Sequence, residues 1–96
     1  MNMAKQKTKV YDFKKVSMEV EIGVFQELDL RRPFGNAIHQ NTDDIGIDEV
    51  ARRIFKEDTV EISDEEVKVL LLILKTCRLK LVIAAKQALI KVLEGK

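Results

Sequence analysis

Ser63-Asp64-Glu65-Glu66-Val67-Lys68-Val69-Leu70-Leu71-Leu72-Ile73-Leu74 joins a capped helix start to the densest apolar run of the chain. Ser63 stands three residues before Glu66, so its hydroxyl can accept from the Glu66 N–H while the Glu66 carboxylate accepts from the Ser63 N–H. Asp64 and Glu65 place negative charge on the first turn, where unpaired N–H groups and the helix dipole favour it. A helix is therefore expected to begin here. At about 100° per residue, Val67, Val69, Leu70, Leu71, Ile73, Leu74 and Cys77 cover an arc of about 200°, wider than a surface helix needs. Leu72 falls outside that arc, beside Lys68 and Lys75. The expectation is a central core helix covered on two or three sides.

Working outward, the chain of 96 residues fits one domain with one modest core. Apolar runs are far shorter than the roughly 18 residues of a membrane span, and Met1-Asn2-Met3-Ala4-Lys5 lacks the apolar stretch of a signal peptide. A cytoplasmic protein without membrane contact is expected. With one cysteine, Cys77, and one histidine, His39, no intramolecular disulfide forms and a zinc site built by one chain lacks ligands. Cys77 reads as a buried, inert thiol.

The net charge of +1 is unevenly spread. Residues 1–15 sum to +4, residues 16–40 to −2, residues 41–66 to −7 and residues 67–96 to +6. The acidic middle can therefore compensate the basic end within one molecule, or pair with it between molecules. Residues 1–15 read as a flexible basic tail ahead of a single domain over 16–96.

Strict alternation from Val16 through Met18 and Val20 to Ile22, with Ser17, Glu19 and Glu21 between, predicts a half-buried strand. A second alternating run carries Leu28 and Leu30 on one face. Gly23 between them suits a hairpin turn, with a bulge in one long strand as the alternative reading. Tyr11 and Phe13 extend the first strand backwards at most. Pro33 suits the first position of a short helix bearing Phe34, Ala37 and Ile38 on one face, which Gly35 weakens. His39 near its end reads as a surface histidine that favours the negative pole of the helix. A further helix carries Ile47, Val50, Ala51, Ile54 and Phe55 on one face, with Gly46 as its cap. Val60-Glu61-Ile62 is able to add a short third strand. The last helix, about Leu81 to Leu93, is half apolar and stops at Gly95. Leu72, Ile83 and Ile90 are left without partners, which makes them the candidate protein interface.

The fold class read from this pattern is α+β: an N-terminal antiparallel β-hairpin packed against three or four α-helices. No glycine-rich phosphate loop, nucleophile elbow, paired cysteine spacing or calcium loop is present, so neither an enzyme nor a cofactor or metal protein is expected. The helices before and after residue 60 invite a helix-turn-helix reading. Three acids at the start of the second helix oppose it, because that end would meet the DNA.

The segment from Leu28-Asp29-Leu30-Arg31-Arg32-Pro33-Phe34-Gly35-Asn36-Ala37-Ile38-His39-Gln40 through Asp44-Ile45-Gly46-Ile47-Asp48-Glu49-Val50-Ala51-Arg52-Arg53-Ile54-Phe55 to Val60-Glu61-Ile62-Ser63-Asp64-Glu65-Glu66 resembles small uncharacterised proteins of phages, prophages and mobile elements of gut bacteria. The resemblance implies an accessory, assembly or regulatory factor and carries over no site residue. The expected function is a protein-interaction or self-assembling module whose partner is another protein or a second copy. The alternative is a small nucleic-acid-binding regulator using the basic tail with Arg31, Arg32, Arg52 and Arg53.

Overall fold

A computed structural model describes residues 8–76 and 81–95. In chain order they form β1 (Thr8–Tyr11), β2 (Val16–Glu21), β3 (Val24–Leu28), α1 (Arg31–Asn41), α2 (Ile45–Lys56), β4 (Val60–Ser63), α3 (Asp64–Thr76) and α4 (Ile83–Glu94). The fold is α+β, with four helices and two separate two-stranded antiparallel sheets, β1–β4 and β2–β3. The Ser63 expectation holds in both directions: Ser63 N–H donates to Glu66 Oε1 at 3.0 Å and Glu66 N–H to Ser63 Oγ at 3.2 Å. Both terminal donors are thus satisfied where β4 passes directly into α3.

The hairpin β2–β3 turns at Gly23, whose φ of 82° is open only to glycine at little cost. Glu19 closes the turn by accepting the Gly23 N–H at 2.7 Å. Pairing runs from Val16↔Leu28 to Glu19↔Phe25 and resumes at Glu21↔Val24, so the irregularity falls at Val20 and the turn at Gly23. The bulge breaks the alternation. Val16 is buried and Met18 and Val20 are half-buried, but Ile22 sits in the turn, fully exposed.

Residues 8–15 do not behave as the expected tail. Thr8 to Tyr11 pair with Ser63 to Val60, so Val60–Ile62 completes a sheet with β1 and does not extend the hairpin. The Asp12 carboxylate then accepts the N–H groups of Lys14 and Lys15 and reverses the chain. Phe13, 1% exposed, meets Phe34 edge-on at 5.1 Å between ring centroids and lies beside Tyr11. Its carbonyl accepts the Leu30 N–H at 2.9 Å, which ties the chain ahead of β2 to the chain beyond β3. Residues 1–7 of the tail, Cys77 and most of the expected turn after Thr76 lie outside the described residues.

The core is centred on α1 and α2: Phe34, Ile38, Val50 and Ile54 are fully buried, joined by Phe13, Ile62, Leu70 and Leu89. α1 runs eleven residues, the three turns expected of a short helix carrying Gly35. Gly35 is the point of closest approach to α2, since a Cβ there would lie 2.8 Å from the Ala51 carbonyl oxygen. The cap of α2 is Asp44, not Gly46. Asp44 Oδ1 accepts the Ile47 N–H at 3.2 Å, and a glycine has no side chain to do so. α3 buries Val67, Leu70, Ile73 and Leu74 but leaves Val69 and Leu72 exposed, so its wide apolar arc is covered on one side only. α4 packs along β2 and ends at Gly95, which adopts a left-handed φ of 76° as its cap. Among the described residues no helix is long and apolar enough to cross a membrane.

The start of α1 is pinned by charge. Asp29 accepts from the Arg31 N–H and, at both carboxylate oxygens, from the Arg31 guanidinium, which also reaches Asp58 Oδ1 at 2.9 Å. The side-chain bonds from Arg31, followed by that of its N–H, lower the Asp29 pKa from 3.8 to about 2. A carboxylate whose folded pKa is depressed stabilises the fold above its unfolded value, and loses that contribution as pH falls through the folded one. Asp29→Asn should therefore lower the urea midpoint modestly at pH 7, since Asp29 is half exposed and screened. The gap to the unaltered protein should close as pH drops from about 4 to about 2. A gap unchanged over that window would assign the loss to packing instead of charge.

Candidate functional site

A groove of about 240 Å³ lies between α1 and α2. The close approach at Gly35 brings the two helix backbones together and shapes its floor from Gly35, Ala51 and the half-buried Phe55. From α1 come Asn36 and His39, one helical turn apart, and from α2 come Arg52 and Lys56, likewise four residues apart. Arg32, one turn before Asn36, lays its guanidinium over the Phe55 ring at 5.6 Å from the centroid.

Asp48 organises the rim. His39 Nδ1 donates to Asp48 Oδ1 across the helix pair, and Arg52 Nε donates to Asp48 Oδ2 at 3.0 Å. An ionised carboxylate only accepts, so the His39 proton on this side sits on Nδ1 and the other ring nitrogen is left free. The His39 bond first, then that of Arg52, holds the Asp48 carboxyl below the usual carboxylate range. His39 stays, as expected, an exposed histidine in the last turn of α1, and it also belongs to a cross-helix pair. Apart from the Asp48 carboxylate at its rim, the groove is lined by no hydroxyl, thiol or carboxylate, so it presents cations, an amide and an aromatic ring. Such a set binds and orients an anion. No three His, Cys, Asp or Glu side chains converge as metal ligands among the described residues.

The four arginines of the nucleic-acid alternative separate into two pairs. Arg31 is committed to Asp29 and Asp58, and Arg53 Nη1 donates to the Glu61 carbonyl at 3.0 Å, stapling α2 to β4. Both are structural. Arg52 lines the groove instead, 65% exposed despite its bond to Asp48, and Arg32 stands beside it over the Phe55 ring. Periodicity along one helix gives no sign of this grouping. The signal lies in Arg32, Asn36 and His39 repeating at three- and four-residue intervals against Asp48, Arg52 and Lys56 at four. Between α2 and α3 stands β4, paired with β1, and not the short turn of a helix-turn-helix.

The interface candidates also separate. Leu72 is 61% and Ile83 70% exposed, but Ile90 is half-buried against the core and was wrongly left without a partner. Lys75, one turn after Leu72, bonds Glu94 at the far end of α4 at 3.0 Å. Ile83 begins that helix, on the order of 15 Å away at 1.5 Å per residue. Leu72 and Ile83 therefore do not form one patch. Sequence reasoning missed the hairpin tip, where Ile22, Val24 and Phe25 are exposed within four residues, Phe25 on the side of α4 with Lys91 Nζ 5.9 Å from its ring centroid. Its signal was available: an apolar residue in the turn itself, followed by two apolar residues in succession, fits no single buried face.

No family model matches the chain, and neither the curated proteins nor the solved structures contain a significant match.

Proposed function

We propose that this chain is a small protein-interaction or self-assembling module, of the accessory kind its resemblance to phage and mobile-element proteins implies, and that the tip of hairpin β2–β3 provides its contact. The observation that carries the reading is Ile22, 100% exposed, next to Val24 and Phe25 at 46% and 54%. Turn geometry at this point asks only for Gly23. Asn, Asp or Gly would serve at position 22 without presenting an aliphatic side chain to water. A two-stranded sheet also leaves a free edge on each strand, to which a second hairpin can add by backbone pairing.

Light scattering behind size-exclusion chromatography is expected to give more than one chain mass, at both low and high salt, because an apolar contact is not screened. Ile22→Asp combined with Phe25→Ser should return the protein to one chain mass without changing its circular dichroism. A monomer at every salt concentration would overturn self-association. Dissociation by Leu72→Glu, with Ile22→Asp inert, would move the interface to α3.

A further inference from the structure

The groove between α1 and α2 is unused by the hairpin contact, and its chemistry points elsewhere. Three cationic side chains, Arg32, Arg52 and Lys56, stand about it against one carboxylate, Asp48, which is already bonded to both His39 and Arg52. The side chains of Lys56 and Asn36 have no hydrogen bond or ion pair with any described residue, so their donors are available. Below them the floor is apolar, because the glycine at 35 and the alanine at 51 expose little but backbone and methyl, and Phe55 supplies a ring face. A groove of about 240 Å³ is below the roughly 300–1,000 Å³ of sites that enclose a drug-sized ligand. It suits part of a larger molecule, a charged group beside a flat one.

We propose that this groove is a nucleotide site, in which Arg52 and Lys56 hold a phosphate and Phe55, with the Arg32 guanidinium near its ring, receives the base. The two sub-sites follow from the two chemistries. Phosphate is met by guanidinium and ammonium donors converging from successive turns of α2. A base is met by the half-buried Phe55 ring and by the Arg32 guanidinium 5.6 Å from its centroid, since bases stack on both kinds of plane. His39, its Nδ1 held by Asp48, keeps its ring fixed at the rim with Nε2 free to bond a phosphate or ribose oxygen. The nucleotide arrives either free or as a unit of a single strand, and the same contacts serve both.

The test is amide and side-chain NMR titration of the full chain with AMP, decathymidylate and inorganic phosphate, followed by affinity measurements across salt. Shifts at Asn36, His39, Arg52, Phe55 and Lys56 are expected with AMP or decathymidylate. Tighter binding of the decamer identifies a single strand as the source, and equal binding identifies a free nucleotide. Lys56→Ala, which removes no side-chain hydrogen bond or ion pair among the described residues, should lower the decamer's salt slope by about one. Arg52→Ala added to it should weaken binding by about tenfold or more, as two phosphate contacts are lost. Lys68→Ala, on the exposed side of α3, controls for loss of charge alone. No shifts at the groove, equal shifts with inorganic phosphate, or an effect of Lys68→Ala as large as that of Lys56→Ala would each overturn the proposal.

Discussion

Phe13→Ala is expected to lower the unfolding free energy by about 3–5 kcal/mol, the usual loss for a phenylalanine truncated in a packed core. The ring is 1% exposed and holds Tyr11 on one side and Phe34 on the other, so its removal empties space bounded by β1, α1 and the end of β3. Total stabilities of small domains are only about 5–15 kcal/mol, and a loss of this size takes up much of that. Urea denaturation followed by circular dichroism measures it. A cost under about 1 kcal/mol would show that the segment 8–15 is an appendage and that the core closes without it.

The second large effect is expected at Gly35. Alanine there gains about 1 kcal/mol of helix propensity in α1. Its Cβ, however, would stand 2.8 Å from the Ala51 carbonyl oxygen and 3.0 Å from Phe55 Cβ, and the first of these is backbone that cannot swing aside. α1 and α2 must then separate by several tenths of an ångström along a seam that includes Phe34, Ile38, Val50 and Ile54. Overpacking of this kind costs about 1–3 kcal/mol, so the steric loss exceeds the propensity gain, and Gly35→Val should be worse still. Gly46→Ala is the contrast: its Cβ would meet no backbone, only Asp44 Oδ1 at 3.2 Å, the cap of α2, so a few tenths of an ångström of cap adjustment offset the gain in helix propensity. Urea midpoints should fall for Gly35→Ala and stay close to the original for Gly46→Ala. A Gly35→Ala protein at least as stable as the original would mean that the helices have room at the crossing.

These two residues also mark what was legible beforehand. The Ser63–Glu66 box, the apolar face of α2, the stop at Gly95 and the turn at Gly23 are set by residues within a few positions of one another, and periodicity and capping chemistry reveal them. Phe13 was assigned to a tail because its lysine- and threonine-rich surroundings look solvated, while the strand that pairs with β1 stands at Val60–Ser63. Gly35 was read as a weak point because propensity is a property of one helix, and close approach is a property of two. The groove was hidden for the same reason. His39, Arg32 and Arg52 looked like ordinary surface charges until Asp48 drew two of them together across the crossing.

β1 and β4 lie at opposite ends of much of the chain, and that separation orders events at the ribosome. The hairpin β2–β3 and the pair α1–α2 are each complete once their own residues have emerged. Thr8–Tyr11 must wait with unpaired backbone groups until Val60–Ser63 are made. Closing so long a loop is the slow step expected of non-local strand pairing. A nascent chain stalled before residue 60 therefore carries β1 as an open strand, the kind of unpaired edge that invites aggregation during synthesis.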